Sequence, residues 1–207
     1  NWSDEFLRSE FNFLPGTKFQ YNSMNTYMLA KIIYLKTGNT LMEYLQSRLF
    51  GPLGITNVAW ELGPEGFEKA GWGMYLRLED MAKLGQIISK SWMSDMLFPH
   101  AGDDKHQENY GYQIWVGKDQ SYYCFSGLFG QTIYINPTHN LVVAFITGNN
   151  NVFNSAAMIH IIQEFLLDKW ELEEDILLAD LEKYLANQKY GNYELLTRPI
   201  QEEAVPT

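Results

Sequence analysis

The patterning of this chain changes once, near residue 110, and that change constrains the fold more than any composition figure. Before it, apolar residues recur at spacings of three and four, the mark of helices with one buried face. Trp2, Phe6, Leu7 and Phe11 predict an amphipathic helix over 2–13 that stops ahead of Pro15-Gly16. Met24, Tyr27, Met28, Lys31, Ile32 and Leu35 predict a helix over 23–37, closed by Gly38. Thr40 and Glu43 have the spacing of a capping box, opening a further helix through Leu41, Tyr44, Leu45 and Leu49. A Gly/Pro turn follows at 51–55, then an irregular, glycine-rich stretch over 60–73. The segment 78–90 is helical again, with Met81, Leu84 and Ile88 on one face, and 99–109 reads as a solvated loop. Beyond it, 110–116, 121–125, 132–136 and 141–147 are rich in β-branched and aromatic residues separated by Gly, Asn and Pro. The short link 136–140 predicts a hairpin between the last two strands. A long helix over 154–170 then turns Ala157, Ile161, Phe165 and Leu166 to the core. Helices, antiparallel strands and a covering helix together make an α+β fold. The expected organisation is a mostly helical portion over 1–109, strands and closing helix over 110–170, and an acidic tail or linker over 171–207. Within that tail, 176–185 has the pattern of one more helix.

Several function classes are excluded or given no support. With 25 acidic against 15 basic residues the formal charge is −10, which repels phosphate backbones and argues against a nucleic-acid partner. No apolar run approaches the roughly 20 residues needed to span a bilayer. The single cysteine, Cys124, leaves no internal disulfide, and its neighbours Tyr123 and Phe125 predict burial. His100, His106, His139 and His160 are scattered without metal-ligand spacing. Neither a Gly-x-Ser-x-Gly elbow nor a phosphate-cradling glycine loop is present.

Five segments in order carry a more specific signal. Pro15-Gly16 leads through a short extended piece to Tyr21, Asn22 and Ser23 at a helix start. Gly51-Pro52-Leu53-Gly54 follows the next helix, then Gly71 to Gly85 (GWGMYLRLEDMAKLG), then Tyr110-Gly111-Tyr112. The last is Phe125-Ser126-Gly127-Leu128-Phe129-Gly130-Gln131. Up to about residue 170 the set resembles the penicillin-recognising serine hydrolases: class C β-lactamases, D-Ala-D-Ala carboxypeptidases and related esterases and peptidases. The resemblance implies a β-lactamase/transpeptidase-like fold and an acyl-enzyme reaction on an amide, ester or β-lactam carbonyl of a small-molecule or peptide substrate. It implies no metal and no organic cofactor.

In that family Tyr21 matches the catalytic tyrosine, a phenol tuned by a neighbouring lysine so that it moves a proton between nucleophile and leaving group. Ser23 stands where asparagine is commoner, and offers one hydroxyl where the amide makes two contacts. Phe125, Ser126 and Gly127 occupy the place of Lys-Thr-Gly or His-Thr-Gly. Ser126 keeps a hydroxyl for substrate, Gly127 keeps the backbone accessible, and the Leu128 N–H corresponds to an oxyanion-hole donor. Phe125 removes a cation, which turns the reading from penicillins towards less acidic substrates. Each residue also has a structural reading: Tyr21 as a core tyrosine, Ser23 as a helix cap, Phe125 and Leu128 as strand packing. The family's nucleophile lies in Ser-x-x-Lys, and no serine here is followed by lysine three positions on. The expectation is therefore the C-terminal part of such a hydrolase, inactive alone. Its exposed face would be covered by the N-terminal part of the same protein or by self-association. A catalytically inactive, penicillin-binding-like peptide-binding or sensor module is the alternative.

Overall fold

A computed structural model describes residues 1–89, 93–103, 108–148 and 156–167. The chain divides into two compact units, Asn1–Ala157 and Met158–Thr207, taken separately below.

The first unit opens with α1 (Trp2–Arg8), capped by the Asn1 side chain, which accepts from the Asp4 N–H at 3.1 Å. It ends well short of the 2–13 expected from periodicity. Ser9 turns extended and its hydroxyl donates to the Phe6 carbonyl at 2.6 Å, occupying an acceptor at the helix end. Helix α2 (Ser23–Thr37) has the bounds expected, with Gly38 left-handed at its end. Asn22 caps it rather than Ser23: the Asn22 side chain accepts from the Met24 N–H at 2.9 Å. The face that α2 buries also differs from the stripe read in sequence. Tyr27 and Ala30 are buried, while Ile32 and Leu35 are exposed. The Tyr27 ring decides this, wedged edge-on to Trp2 at 5.5 Å and stacked on Phe67 at 4.8 Å.

The capping box forms as read. Thr40 N–H donates to the Glu43 carboxylate at 2.8 Å, and Glu43 N–H to the Thr40 hydroxyl at 3.3 Å. It opens α3 (Leu41–Leu45), which widens into a π-type turn over Gln46–Phe50. The irregular stretch is bracketed by a short antiparallel pair, β1 (Ala59–Trp60) and β2 (Met74–Tyr75). Then come α4 (Leu78–Gly85), tightened into a 3-10 turn over Gln86–Ser89, and α5 (Met93–Leu97).

The main sheet is a six-stranded antiparallel meander in chain order. Its strands are β3 (Ala101–Asp103), β4 (Glu108–Tyr110), β5 (Trp115–Gly117), β6 (Tyr123–Ser126), β7 (Thr132–Asn136) and β8 (Leu141–Phe145). Two expectations change here. The run 110–116 is two strands, because the chain folds back at 111–114: Gly111 N–H donates to Ile114 O at 2.9 Å and Gln113 is left-handed at φ 61°. The ends of the expected loop at 99–109 are themselves strands, with Ala101 opposite Tyr110. Alternation sorts the sheet into two faces. Ile114, Val116, Tyr123, Phe125, Ile133 and Ile135 form an apolar core with Met81 and Leu84 of α4 and Met93 of α5. Gly85 permits the close approach of α4, since a Cβ there would lie 2.5 Å from Val142. By register, Tyr110, Trp115, Cys124 and Ser126 occupy the opposite face, where Cys124 is fully buried.

In the second unit, helix continues from α6 (Ala156–Ile161) into a π-type segment, Ile162–Leu167. Phe165 is buried as expected, but its buried companions are Ile159 and Ile162, while Ile161 and Leu166 are only partly buried. The tail over 171–207 and its expected helix over 176–185 lie outside the described residues.

Candidate functional site

An antiparallel meander brings alternate strand starts and ends to one edge of the sheet. At one such end stand Ala101 at the start of β3, Tyr110 closing β4, Trp115 opening β5 and Ser126 closing β6. Tyr21 reaches this end from outside the sheet. Gly16, left-handed at φ 80°, makes the turn, and Thr17 closes it with an N–H to Leu14 O bond of 3.1 Å. The following piece is extended, so Phe19 and Tyr21 present their side chains to the same side. Both pack on the sheet's aromatics. Tyr21 stacks on Trp115 at 5.7 Å and 22°, and meets Tyr110 edge-on at 5.9 Å. Phe19 lies 5.0 Å from Tyr110 and 6.3 Å from Trp115. Burial, and secondarily the neighbouring Tyr21 phenol, push the Tyr110 pKa upward. A further tether joins the first turn of α2 to the hairpin: the Thr26 hydroxyl donates to the Gln113 side-chain oxygen at 2.6 Å.

The register relates Tyr21 to the third motif. Trp115 is directly opposite Cys124, and Ser126, two residues along, points to the same face. At about 3.3 Å of rise per residue, Ser126 is displaced by roughly 7 Å along the strand from the residue facing Trp115. Tyr21 is 49% exposed, so it is not a core tyrosine.

The turn between β6 and β7 is held by Gly127 N–H to Gln131 O at 2.7 Å and Gly130 N–H to Gly127 O at 3.3 Å. Neither bond uses the Leu128 or Phe129 N–H. Phe129 and Gly130 are both left-handed, at φ 61° and 88°. The Thr147 hydroxyl pins the turn from β8's extension, donating to Phe129 O at 2.8 Å. A Cβ at Gly130 would lie 2.1 Å from that hydroxyl, and one at Gly127 would lie 2.8 Å from the Gln131 side-chain oxygen. Leu128 and Phe129 are about half exposed.

The structure thus brings Tyr21, Ser126, Gly127 and Leu128 to one sheet end. Phe125 belongs to the other face and packs into the apolar core, while Ser23 backs onto Gly71, where a Cβ would lie 2.5 Å from Ser23 O. Sequence reasoning missed Phe19, Trp115 and Gln113. The alternation of Phe19 and Tyr21 was a usable signal, but their partners on β4 and β5 follow only from strand pairing. Among the described residues no group of three or more His, Cys, Asp or Glu is placed to hold a metal ion.

A second polar constellation lies among the helices. The Glu65 carboxylate accepts from Ser3 N–H at 2.9 Å, the Ser3 hydroxyl at 2.8 Å, the Tyr27 hydroxyl at 3.1 Å and Lys31 Nζ at 2.8 Å. Desolvation works to raise the Glu65 pKa, but the hydrogen bonds from Lys31, Ser3 and Tyr27 outweigh it and hold the carboxyl at about 2. Burial, then the hydrogen bond and charge of Glu65, push Tyr27 up to about 12.

The β-lactamase family matches residues 3–164. The chain belongs to the β-lactamase family. Its fold is similar to that of a putative 6-aminohexanoate-dimer hydrolase from Bacillus anthracis, with TM-score 0.65 and 21% identity over 91% of this chain and 50% of that one. In sequence it is 37% identical over 54 residues to a lovastatin esterase of Penicillium rubens, covering 26% of this chain and 13% of that protein. This β-lactamase-family chain therefore spans half the length of the solved relative and matches a small part of the curated one. Both relatives carry the names of hydrolases, one of a 6-aminohexanoate dimer and one an esterase.

Proposed function

We propose that this chain supplies the proton-relay tyrosine and the substrate-binding strand of a serine hydrolase that works through an acyl-enzyme on a neutral ester or amide carbonyl. The observation that carries the reading is the stacking of Tyr21 on Trp115, which holds the phenol on the sheet face that also bears Ser126. The nucleophile and its lysine come from outside these 207 residues, none of whose serines has lysine three positions on. The serine oxygen bonds to the carbonyl carbon as its proton passes to the Tyr21 oxygen and the phenol's own proton passes to the amine of that lysine, a hand-off that reverses when Tyr21 protonates the leaving group. The carbonyl electrons move to the oxygen facing the Leu128 N–H. Collapse breaks the bond to the alcohol or amine, which leaves with that proton, and water repeats the sequence to free the acid. Tyr110, with its raised pKa, stays a neutral phenol and supports Tyr21 by packing. Ser126 orients the substrate. With Phe125 in the core, the third motif offers no cation to a substrate carboxylate, which favours a neutral substrate. The face of α2 that exposes Leu29, Ile32 and Leu35 is then covered by the nucleophile-bearing part, or by a second copy.

A fluorophosphonate probe on the intact gene product tests this. Labelling of a serine is expected, with Tyr21→Phe slowing it by about a hundredfold or more and Tyr110→Phe leaving it within about threefold. An intact product that stays unlabelled beside a labelled control hydrolase overturns the reading in favour of a peptide-binding or sensor module.

A further inference from the structure

Two peptide planes in series lead from a threonine outside the β6–β7 turn to the Leu128 N–H. Thr147 Oγ1 donates to Phe129 O at 2.8 Å, with a longer approach of 3.4 Å to Gly130 O. The other polar end of that peptide, the Gly130 N–H, donates to Gly127 O at 3.3 Å. Gly127 O shares a peptide plane with the Leu128 N–H. A trans peptide directs its carbonyl and its N–H to opposite sides, and no cis bond occurs among the described residues. The path is therefore continuous from hydroxyl to carbonyl to N–H, and again from carbonyl to N–H. Each bond along such a chain polarises the next, so the last donor is both aimed and strengthened. Neither turn bond uses the Leu128 N–H, which leaves it for an outside acceptor.

The turn needs a hold from outside. Phe129 is left-handed at φ 61° and ψ 11°, a conformation that a bulky side chain disfavours and that surrounding contacts must maintain. Its ring is about half exposed, so packing restrains it only in part. Register puts Thr147 in reach. Ser126, Thr132 and Phe145 lie opposite one another across β6, β7 and β8. Past that row the chain leaving β8 runs beside the turn, and a Cβ at Gly130 would meet the Thr147 hydroxyl at 2.1 Å. We infer that Thr147 is the positioning residue for the oxyanion donor. It keeps the Leu128 N–H directed at the substrate oxygen through the Phe129–Gly130 and Gly127–Leu128 peptides. The inference rests on the carbonyl-binding reading above and adds a residue that acts without touching the substrate.

The test uses the intact gene product and the fluorophosphonate probe, whose phosphonyl oxygen takes the place of the carbonyl oxygen. It separates the maximal labelling rate from the half-saturating concentration. Thr147→Val keeps the shape of the side chain and removes its hydroxyl. It should lower the maximal rate by about tenfold and leave half-saturation within about twofold. Thr147→Ser should restore the rate, and Phe129→Gly added to Thr147→Val should restore part of it, because glycine adopts the left-handed turn unaided. Leu128→Pro deletes the donor itself, and Gly127, extended at φ −116° and ψ 170°, accepts a following proline. That change should slow labelling by about a hundredfold or more. On the Leu128→Pro background Thr147→Val should cost nothing further, since the two act through one N–H. Circular dichroism checks each fold, and Thr147→Ala, with the same loss expected, replaces a valine variant that fails to fold. An unchanged rate in Thr147→Val, a serine variant as slow as the valine one, or a valine penalty that persists in full beside Leu128→Pro overturns the inference and leaves the carbonyl reading in place. A Leu128→Pro variant that labels at the parent's rate, or an intact product that does not label, overturns the carbonyl reading and takes the inference with it.

Discussion

Two regions of this molecule use serine and tyrosine in opposite ways. Among the helices a serine, a lysine and a tyrosine (Ser3, Lys31 and Tyr27) converge, and all three are bound to the carboxylate of Glu65. At the sheet end Tyr21 and Ser126 share a face whose neighbours are aromatic rings. The first arrangement ties hydroxyl and ammonium protons to one partly buried carboxylate, where a satisfied network specifies how two helices and a loop meet. The second holds a phenol by ring packing and leaves half of it in solvent, the setting that the proposed proton relay requires. Residue identity does not separate a lock from a site. The distinction lies in whether a partly buried carboxylate is present to consume the donors.

The contrast is broken most forcefully at Glu65. Glu65→Ala leaves Lys31, Tyr27 and Ser3 without their acceptor and is expected to cost about 3 kcal/mol in urea unfolding, in line with stranding the donors of one partly buried charged acceptor. A cost below about 1 kcal/mol would mean the cluster is solvated and the lock is not one. At the sheet end the comparable lesion is steric. Gly111→Ala pushes a methyl into Met96 O and is expected to cost about 2 kcal/mol, while blunting the fluorescence signature of Trp115 packed beside Tyr110 and Tyr21. The smallest effect sharpens the comparison through pH. Glu65 is depressed in the folded state from its ordinary 4.5 to about 2. Its contribution to stability is therefore complete above pH 4.5 and is lost as pH falls towards 2. Acid titration of Glu65→Gln should show a shallower loss over that window than the parent chain; parallel curves would remove Glu65 from the account.

Much of the local structure was legible in the residues. The bounds of α2, the Thr40–Glu43 box and strand β7 appear where periodicity and capping chemistry put them, because each depends on neighbours within one or two turns. The errors share a cause. The buried face of α2 was misassigned because Phe67 and Trp2, distant in sequence, decide where Tyr27 goes. The run 110–116 was taken as one strand because its alternating rings conceal a fold-back that depends on Gly111 meeting α5. The structural reading of Ser23 as a helix cap gives way to Asn22, one place earlier, whose side chain accepts from the Met24 N–H. At the candidate site, the motifs single out Tyr21, Ser126, Gly127 and Leu128, which lie at one sheet end, but not Phe19, Trp115 and Gln113, since no spacing along the chain announces a cross-strand partner.

By itself the sequence determined the family, the α+β order of elements and the tyrosine brought in by the Pro15-Gly16 turn, all properties of contiguous residues. Only the tertiary structure decided which face each strand residue takes, placing Phe125 in the core and Ser126 on the face of Trp115, against which Tyr21 stacks. It alone made a lock of Ser3, Tyr27, Lys31 and Glu65. Side-chain direction in a strand reverses with every residue, so register, set by pairing between distant segments, assigns each residue to packing or to solvent.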